Sequence, residues 1–139
     1  MAVELAQEVS RRLESDRLGW LTTVAKSGQP VPRLVWFFFD GEDLTVYSTP
    51  NAAKVAHIKA HPRVSLNLDS DGKNYGVVVV GGEARVDAVD VDPLADEQFQ
   101  AKYAEFASSL GMGMEFLAAF NTRLKVKIDK VWSTTAPVE

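Results

Sequence analysis

Tyr47-Ser48-Thr49-Pro50-Asn51-Ala52-Ala53-Lys54-Val55-Ala56-His57-Ile58-Lys59-Ala60-His61-Pro62-Arg63 reads as a strand end, a tight entry, one short helix and a hard stop. Thr49 suits the N-cap, and Pro50 the first helical position, where a missing N–H costs nothing. Pro62 ends the helix near His61. At helical spacing Ala52, Val55, Ala56 and Lys59 share one side, and Lys54, His57 and His61 another. Lys54 falls in the first turn, where the helix dipole disfavours a cation. Two readings follow: a solvated surface lysine, or part of an anion site with the helix N-terminus and the Ser48 and Thr49 hydroxyls.

Outward from this helix the chain is mostly strand. Upstream, Leu18–Val24 is β-branched and aromatic, and Lys26-Ser27-Gly28-Gln29 is a turn. Val31–Phe39 reads as one strand, with Pro32 marking an edge or bulge. Alternation sets Arg33, Val35, Phe37 and Phe39 against Leu34, Trp36 and Phe38. Both faces are apolar, so a core covers one and a partner subunit or ligand the other. Asp40-Gly41-Glu42-Asp43 turns the chain into a strand over Leu44–Ser48. An amphipathic helix over Val3–Arg12 precedes all of this.

Downstream, Val64–Leu68 alternates strictly and leads into a polar turn over Asp69–Asn74. Tyr75–Asp87 is a long strand, bent or bulged at Gly81-Gly82. Asp92 and Pro93 start a helix running to Tyr103 or Phe106, and Met114–Phe120 forms a short second one. Thr122–Asp129 alternates cleanly, Val131–Thr134 closes the sheet, and the last residues fray. Six or seven short strands joined by turns indicate an antiparallel sheet closed into a barrel, with a late helical insertion.

Bulk properties narrow the function. The 139 residues fit one domain, taken as 1–139, and no apolar run reaches the roughly 20 residues of a membrane span. There is no cysteine and there are only two histidines, so no metal site is expected. The net charge of −4 argues against a nucleic-acid binder but not against an anionic small ligand. No signal peptide is visible, and a cytoplasmic protein is the expectation.

Trp20-Leu21-Thr22-Thr23-Val24, Gly28-Gln29-Pro30-Val31-Pro32, Val35-Trp36-Phe37, Asp40-Gly41, Tyr47-Ser48-Thr49-Pro50-Asn51, Lys54, His61-Pro62-Arg63-Val64-Ser65-Leu66 and Gly82-Glu83-Ala84 follow one another in a familiar order. Over Leu18 to Trp132 the chain resembles the pyridoxamine 5′-phosphate oxidase-like superfamily of split β-barrel flavoproteins. It most resembles the actinobacterial flavin/deazaflavin oxidoreductases that use coenzyme F420.

The resemblance implies a mainly β (α+β) fold, an antiparallel split barrel of the FMN-binding type, forming a homodimer with cofactor sites at the interface. It places the cofactor phosphate at Ser48, Thr49, Asn51 and Lys54, and the tricyclic ring along Pro32, Arg33, Leu34, Val35 and Trp36. Trp132 would lie near the partner's site. Arg63 would either reach the phosphate or stay on the surface. Arg33 would contact phosphate or the acidic tail of the deazaflavin, or pair with an acidic neighbour at the barrel mouth. The implied activity is hydride transfer from reduced F420 to an unsaturated small molecule. Alternatives are an FMN-dependent enzyme of this fold, or a non-catalytic protein that binds flavin, deazaflavin or haem. The basic substrate motif of pyridoxamine-phosphate oxidases proper was not found, so vitamin oxidation is not expected. No catalytic acid is named, because the cofactor carries the chemistry. Histidine as a residue type suits proton transfer near neutral pH, so His57 could donate a proton, or be a solvated helix residue. The Trp36–Phe39 run reads as core and dimer packing rather than as a substrate box.

Overall fold

The computed structural model describes residues 4–70 and 76–134, the Met114 side chain excepted. Val3, residues 71–74 of the expected turn, Tyr75 and residues 135–139 lie outside the described residues. In chain order the elements are α1 (Gln7–Ser15), β1 (Leu18–Val24), β2 (Pro30–Trp36), β3 (Phe38–Phe39), β4 (Asp43–Ser48), α2 (Ala53–Ala60), β5 (Arg63–Leu68) and β6 (Val77–Ala88). A 3₁₀ turn (Pro93–Ala95), α3 (Glu97–Ser109), α4 (Met114–Ala118) and β7 (Thr122–Thr134) complete the chain. All seven strands form one antiparallel sheet in the order β2-β1-β5-β6-β7-β4-β3.

The sheet's two edges, β2 and β3, are consecutive pieces of one chain segment interrupted at Phe37. The expected strand over 31–39 is therefore split: one half pairs with β1 and the other with β4. The sheet curls so that these edges meet, which makes a split barrel rather than an open sheet.

Alternating residues fill the barrel. Leu21, Val35, Phe37, Leu44, Val46, Leu66, Val80, Leu124 and Val126 are all buried in one cluster. α1 adds Val9 and Leu13, and α2 adds Val55 and Ile58. The inward face of α2 is thus Val55–Ile58, while Ala56 and Lys59, expected to share it with Val55, are exposed. A second, aromatic cluster (Phe38, Tyr47, Phe99 and Tyr103) lies where α3 covers the outer face of β3 and β4. No helix among the described residues is long and apolar enough to cross a membrane.

Helix starts differ from expectation. Asp92 does cap, accepting from the Leu94 amide at 2.9 Å, but only for the 3₁₀ turn. Asp96 caps α3 by accepting from the Gln98 and Phe99 amides. The hydrogen bonds from the Ala95 amide to Asp92 O and the Asp96 amide to Pro93 O close the first turn, so the helix begins anew four residues on. α3 ends in a Schellman turn: the Met112 amide donates to Ala107 O and the Gly111 amide to Ser108 O, with Gly111 at φ +72°.

The interruption at Phe37 leaves a buried peptide N–H and C=O outside the sheet ladder, which is costly unless something bonds them. Tyr103 of α3 does so. Its hydroxyl accepts from the Phe37 amide at 2.7 Å and lies 2.5 Å from Phe37 O and 2.7 Å from Arg17 O. One hydroxyl proton serves one carbonyl at a time, and Lys102 Nζ donates to Phe37 O at 2.8 Å. Tyr103 is wholly buried, and its ring stacks on Trp36 at 4.8 Å and 6°. Tyr103→Phe keeps the stack and strands the Phe37 amide. The expected loss is about 1–3 kcal/mol of stability by urea denaturation, the scale for an unsatisfied buried donor. An unchanged midpoint would show that the break does not depend on this hydroxyl.

Candidate functional site

β2 pairs only with β1 among the described residues, so its other edge carries unpaired backbone groups. Its outward side chains are Leu34, 51% exposed, and half-buried Trp36. Across the split, β4 presents Tyr47, and α3 adds Phe99. A slot of about 190 Å³ opens here, floored by Leu34, Val35 and Trp36, backed by Tyr47 and Phe99, and roofed by Met112, Phe116, Leu117 and Phe120. Lys54 completes the lining. The slot is the barrel's split, covered by the helical insertion.

Lys54 is the second residue of α2 and is half-buried. Its amine is held below the ordinary lysine range, first by burial and then by repulsion from Arg33. No carboxylate among the described residues pairs with either group. The Arg33 guanidinium donates to Pro32 O at 2.9 Å, so the alternative in which it pairs with an acidic neighbour is not what is found. Two cations without a counter-charge favour an anion beside them. The helix N-terminus adds to this. α2 begins after Ala52 with no side-chain cap and no acidic residue in its first turn. Thr49 is therefore not the N-cap and Pro50 is not the first helical residue. Thr49 O accepts from the Ala52 amide at 3.3 Å, which closes a separate turn before the helix.

Leu34, Val35, Trp36 and Lys54 are thus brought together around the slot, with Arg33 beside them. Pro32 is exposed on β2. Ser48 is fully buried on the core face of β4, and its hydroxyl donates to Thr49 O at 2.8 Å. Thr49 is half-buried and Asn51 exposed, both in the turn before α2. Arg63 begins β5, beyond the far end of α2, and its guanidinium grips Asp129 at 2.5 and 2.7 Å. His57 Nδ1 lies 2.8 Å from the Thr23 hydroxyl, a contact that ties α2 to β1.

Trp132 stands on the outer face, in a row across five strands: Leu34, Trp20, Asn67, Val79 and Trp132 are successive cross-strand partners. Four interstrand steps of about 4.8 Å put its backbone roughly 19 Å from Leu34 along the sheet. Its ring covers Gly81, where an added Cβ would lie 3.0 Å from the indole. Trp20 is 38% exposed and Trp132 55%.

Sequence reasoning did not single out Tyr47, Phe99, Met112, Phe116, Leu117 or Phe120 as site residues. The signal for the last three was available: apolar residues at i, i+1 and i+4 after a glycine-flanked turn form one face of a short helix. Tyr47 also fixes the back wall. Its hydroxyl donates to Asp96 Oδ2 at 2.6 Å, and burial, with the Asp96 bond second, pushes the phenol up to about 12.

Comparison with known proteins places this geometry in context. The family profile described as pyridoxamine 5′-phosphate oxidase matches residues 5–133. A pyridoxine/pyridoxamine 5′-phosphate oxidase of Sodalis glossinidius (strain morsitans) is 33% identical over 70 residues, which cover 50% of this chain and 32% of that protein. The match therefore spans about a third of that relative's length. Among solved structures, an F420 reductase superposes with a TM-score of 0.69 at 25% identity, over 94% of this chain and 98% of the other. The haem storage protein HutZ of Vibrio cholerae superposes with a TM-score of 0.61 at 14% identity, over 92% and 91%, a likeness of fold alone. The split barrel and the near-complete profile match agree: the chain belongs to the pyridoxamine 5′-phosphate oxidase family.

Proposed function

We propose that the protein is an oxidoreductase that uses reduced coenzyme F420 for hydride transfer to an unsaturated small molecule. The observation that carries this is a half-buried lysine at an apolar slot along an edge strand, beside an arginine, neither paired with a carboxylate among the described residues. Those features suit a flat ring with an anionic tail. Lys54 and the uncapped first turn of α2 would hold the phosphate. The free edge of β2 would bond the polar rim of the ring, and Leu34 and Trp36 would pack against its face. Arg33 would meet acidic groups farther along the tail, which is what favours F420 over FMN. Likeness to an F420 reductase along nearly the whole chain supports the same choice. When bound, the reduced deazaflavin supplies the hydride; the residues of the chain bind it, orient it and keep water from the slot.

FMN is the second reading. The same phosphate site and strand edge serve it, and the family profile is that of pyridoxamine 5′-phosphate oxidase. A haem carrier fits less well. Neither histidine of the chain lines the slot, since His57 faces Thr23 and exposed His61 follows α2, so no imidazole is placed there as an axial ligand.

The protein is further proposed to act as a homodimer through the outer row of Leu34, Trp20, Val79 and Trp132. Two partly exposed tryptophans in a row that is apolar except for Asn67 resemble the core of an interface. The slot's 190 Å³ is also below the roughly 300–1,000 Å³ of complete small-molecule sites, so a second chain is needed to finish it. Trp132 cannot reach its own slot along the sheet, but from that face it could wall a partner's.

Four measurements test these statements. Apo-protein should bind F420 more tightly than FMN in equilibrium titration, and the reverse order would sink the deazaflavin assignment. Lys54→Ala should weaken binding by about 1–3 kcal/mol, the scale of a lost charged hydrogen bond, with little change in fold stability. Unchanged affinity would mean the phosphate is held elsewhere.

Binding should also take up protons as pH nears the depressed Lys54 value. An anion beside Lys54 offsets the burial and the Arg33 repulsion that depress its pKa, so the amine regains a proton on binding, and affinity falls as pH rises through the depressed value. Calorimetry in buffers of different ionisation enthalpy reads this directly, and no proton uptake would place the anion away from Lys54.

Trp20→Glu combined with Trp132→Glu should give a monomer in sedimentation velocity. A dimer that persists would move the interface elsewhere.

A further inference from the structure

We propose that the segment from Met112 to Phe120 is the substrate-selecting roof of the slot, and that it admits flat, uncharged, apolar acceptors. This rests on the oxidoreductase reading above. It assigns Phe116 as the specificity-determining residue, with Met112 and Phe120 beside it.

The argument begins with what the slot offers. Apart from Lys54 and Tyr47, every lining side chain is apolar. The Tyr47 hydroxyl already donates to Asp96, so it presents no free donor. No carboxylate among the described residues lines the slot, and Lys54 and Arg33 make its surroundings positive, so a cationic substrate is repelled. Once Lys54 holds the cofactor's anionic group, a second anion finds no partner there. A neutral molecule remains as the substrate that costs least to desolvate.

The geometry gives the shape. The floor is rigid, because Trp36 is stacked on Tyr103 and Tyr103 is bonded at the strand break. The roof is anchored at both ends. On one side the Schellman turn at Gly111 aims Met112 at the slot; on the other the Val91 amide donates to Asn121 O at 3.0 Å. Between these anchors Leu117 is 7% exposed and fixes α4, whereas Phe116 is 51% exposed at the mouth. The Phe116 and Phe120 rings meet at 5.4 Å and 52°, which gives the entrance aromatic surfaces opposite the indole floor. With the cofactor ring packed on Leu34 and Trp36, a planar substrate between that ring and the Phe116 and Phe120 rings gains stacking on both faces. All of these roof residues come from the insertion, so the selecting surface is separate from the Lys54 and β2 elements assigned to the cofactor.

The test uses unreactive probes, so it does not depend on turnover. 2-Naphthol, 2-naphthalenesulfonate and 2-naphthyltrimethylammonium share one flat body and differ in charge. Calorimetry on the cofactor-loaded protein should show 2-naphthol binding about tenfold or more tighter than either charged analogue. Phe116→Ala should weaken 2-naphthol roughly tenfold while leaving cofactor affinity within about twofold, and Phe116→Tyr should retain both. Phe116 is exposed enough for these variants to fold. Equal binding of the three probes would overturn the charge selection, as would tighter binding of the sulfonate to the loaded protein. An equal loss of cofactor and 2-naphthol affinity in Phe116→Ala would show that the roof holds the cofactor ring instead. If neither F420 nor FMN binds, yet 2-naphthol binds with the same dependence on Phe116, the oxidoreductase reading fails and the roof assignment stands.

Discussion

One phenolic hydroxyl holds the architecture together at its weakest point. A barrel that stays split must break a strand, and the break leaves an amide and a carbonyl at Phe37 without ladder partners. Tyr103 and Lys102 supply the missing bonds from adjacent positions on α3, and the Lys102 ammonium also sits 4.0 Å from the Phe37 ring centroid. Burying that amine lowers its pKa to about 8, with nearby Asp16 offsetting part of the shift and Arg17 adding to it. The late helical insertion is therefore not an appendage. It satisfies the backbone that the split exposes, and in lying across the split it creates the slot.

The same covering explains why the slot is charged as it is. Shielding Lys54 from water without giving it a carboxylate costs stability, and Arg33 beside it adds repulsion. A protein selected for stability alone would have an acid here or no lysine. Retaining Lys54 at an uncapped helix start and Arg33 on the neighbouring strand, with no carboxylate among the described residues paired to either, is the kind of local conflict expected where a ligand supplies the missing charge. Arg63 is the contrast: its charge is answered by Asp129, and it has none left for a ligand in that geometry.

Local signals carried much of this. β1 begins and ends at Leu18 and Val24 as the residue types indicate, and Asp40-Gly41 marks the turn between β3 and β4, because strand propensity and turn chemistry act over a few residues. The doubly apolar strand and the misplaced cation flagged Leu34 to Trp36 and Lys54 separately, and the family resemblance put them in one place. What stayed hidden depends on contacts distant in sequence. Nothing in the run Val31–Phe39 marks Phe37 as the break, since the cause is a tyrosine 66 residues away. The true caps of α2 and α3 were misplaced because Thr49 and Asp92 are sound caps that other turns used first. The apolar face of Phe116, Leu117 and Phe120 was visible, but its role as a roof was not, because that depends on α4 folding over β2.

Trp132 shows how one residue of register decides a surface. Counting by twos from Leu124, Val126 and Ile128 would put Trp132 in the barrel core. It lies outside because β7 carries one extra residue: Gly81 faces Lys130, but Gly82 faces Ile128, and Asp129 is passed over. The bulge requires β6 and β7 to come so close at Gly82 that a Cβ there would lie 1.9 Å from Lys127 O. A glycine on one strand thus permits the extra residue on the other. That residue's carboxylate is the one that holds Arg63, and the shifted parity turns the indole outward over Gly81. Without the bulge the outer face would lose an apolar anchor and the core would gain a side chain too large for it. The glycine pair, which carries no chemistry of its own, fixes which face of the barrel another chain could meet.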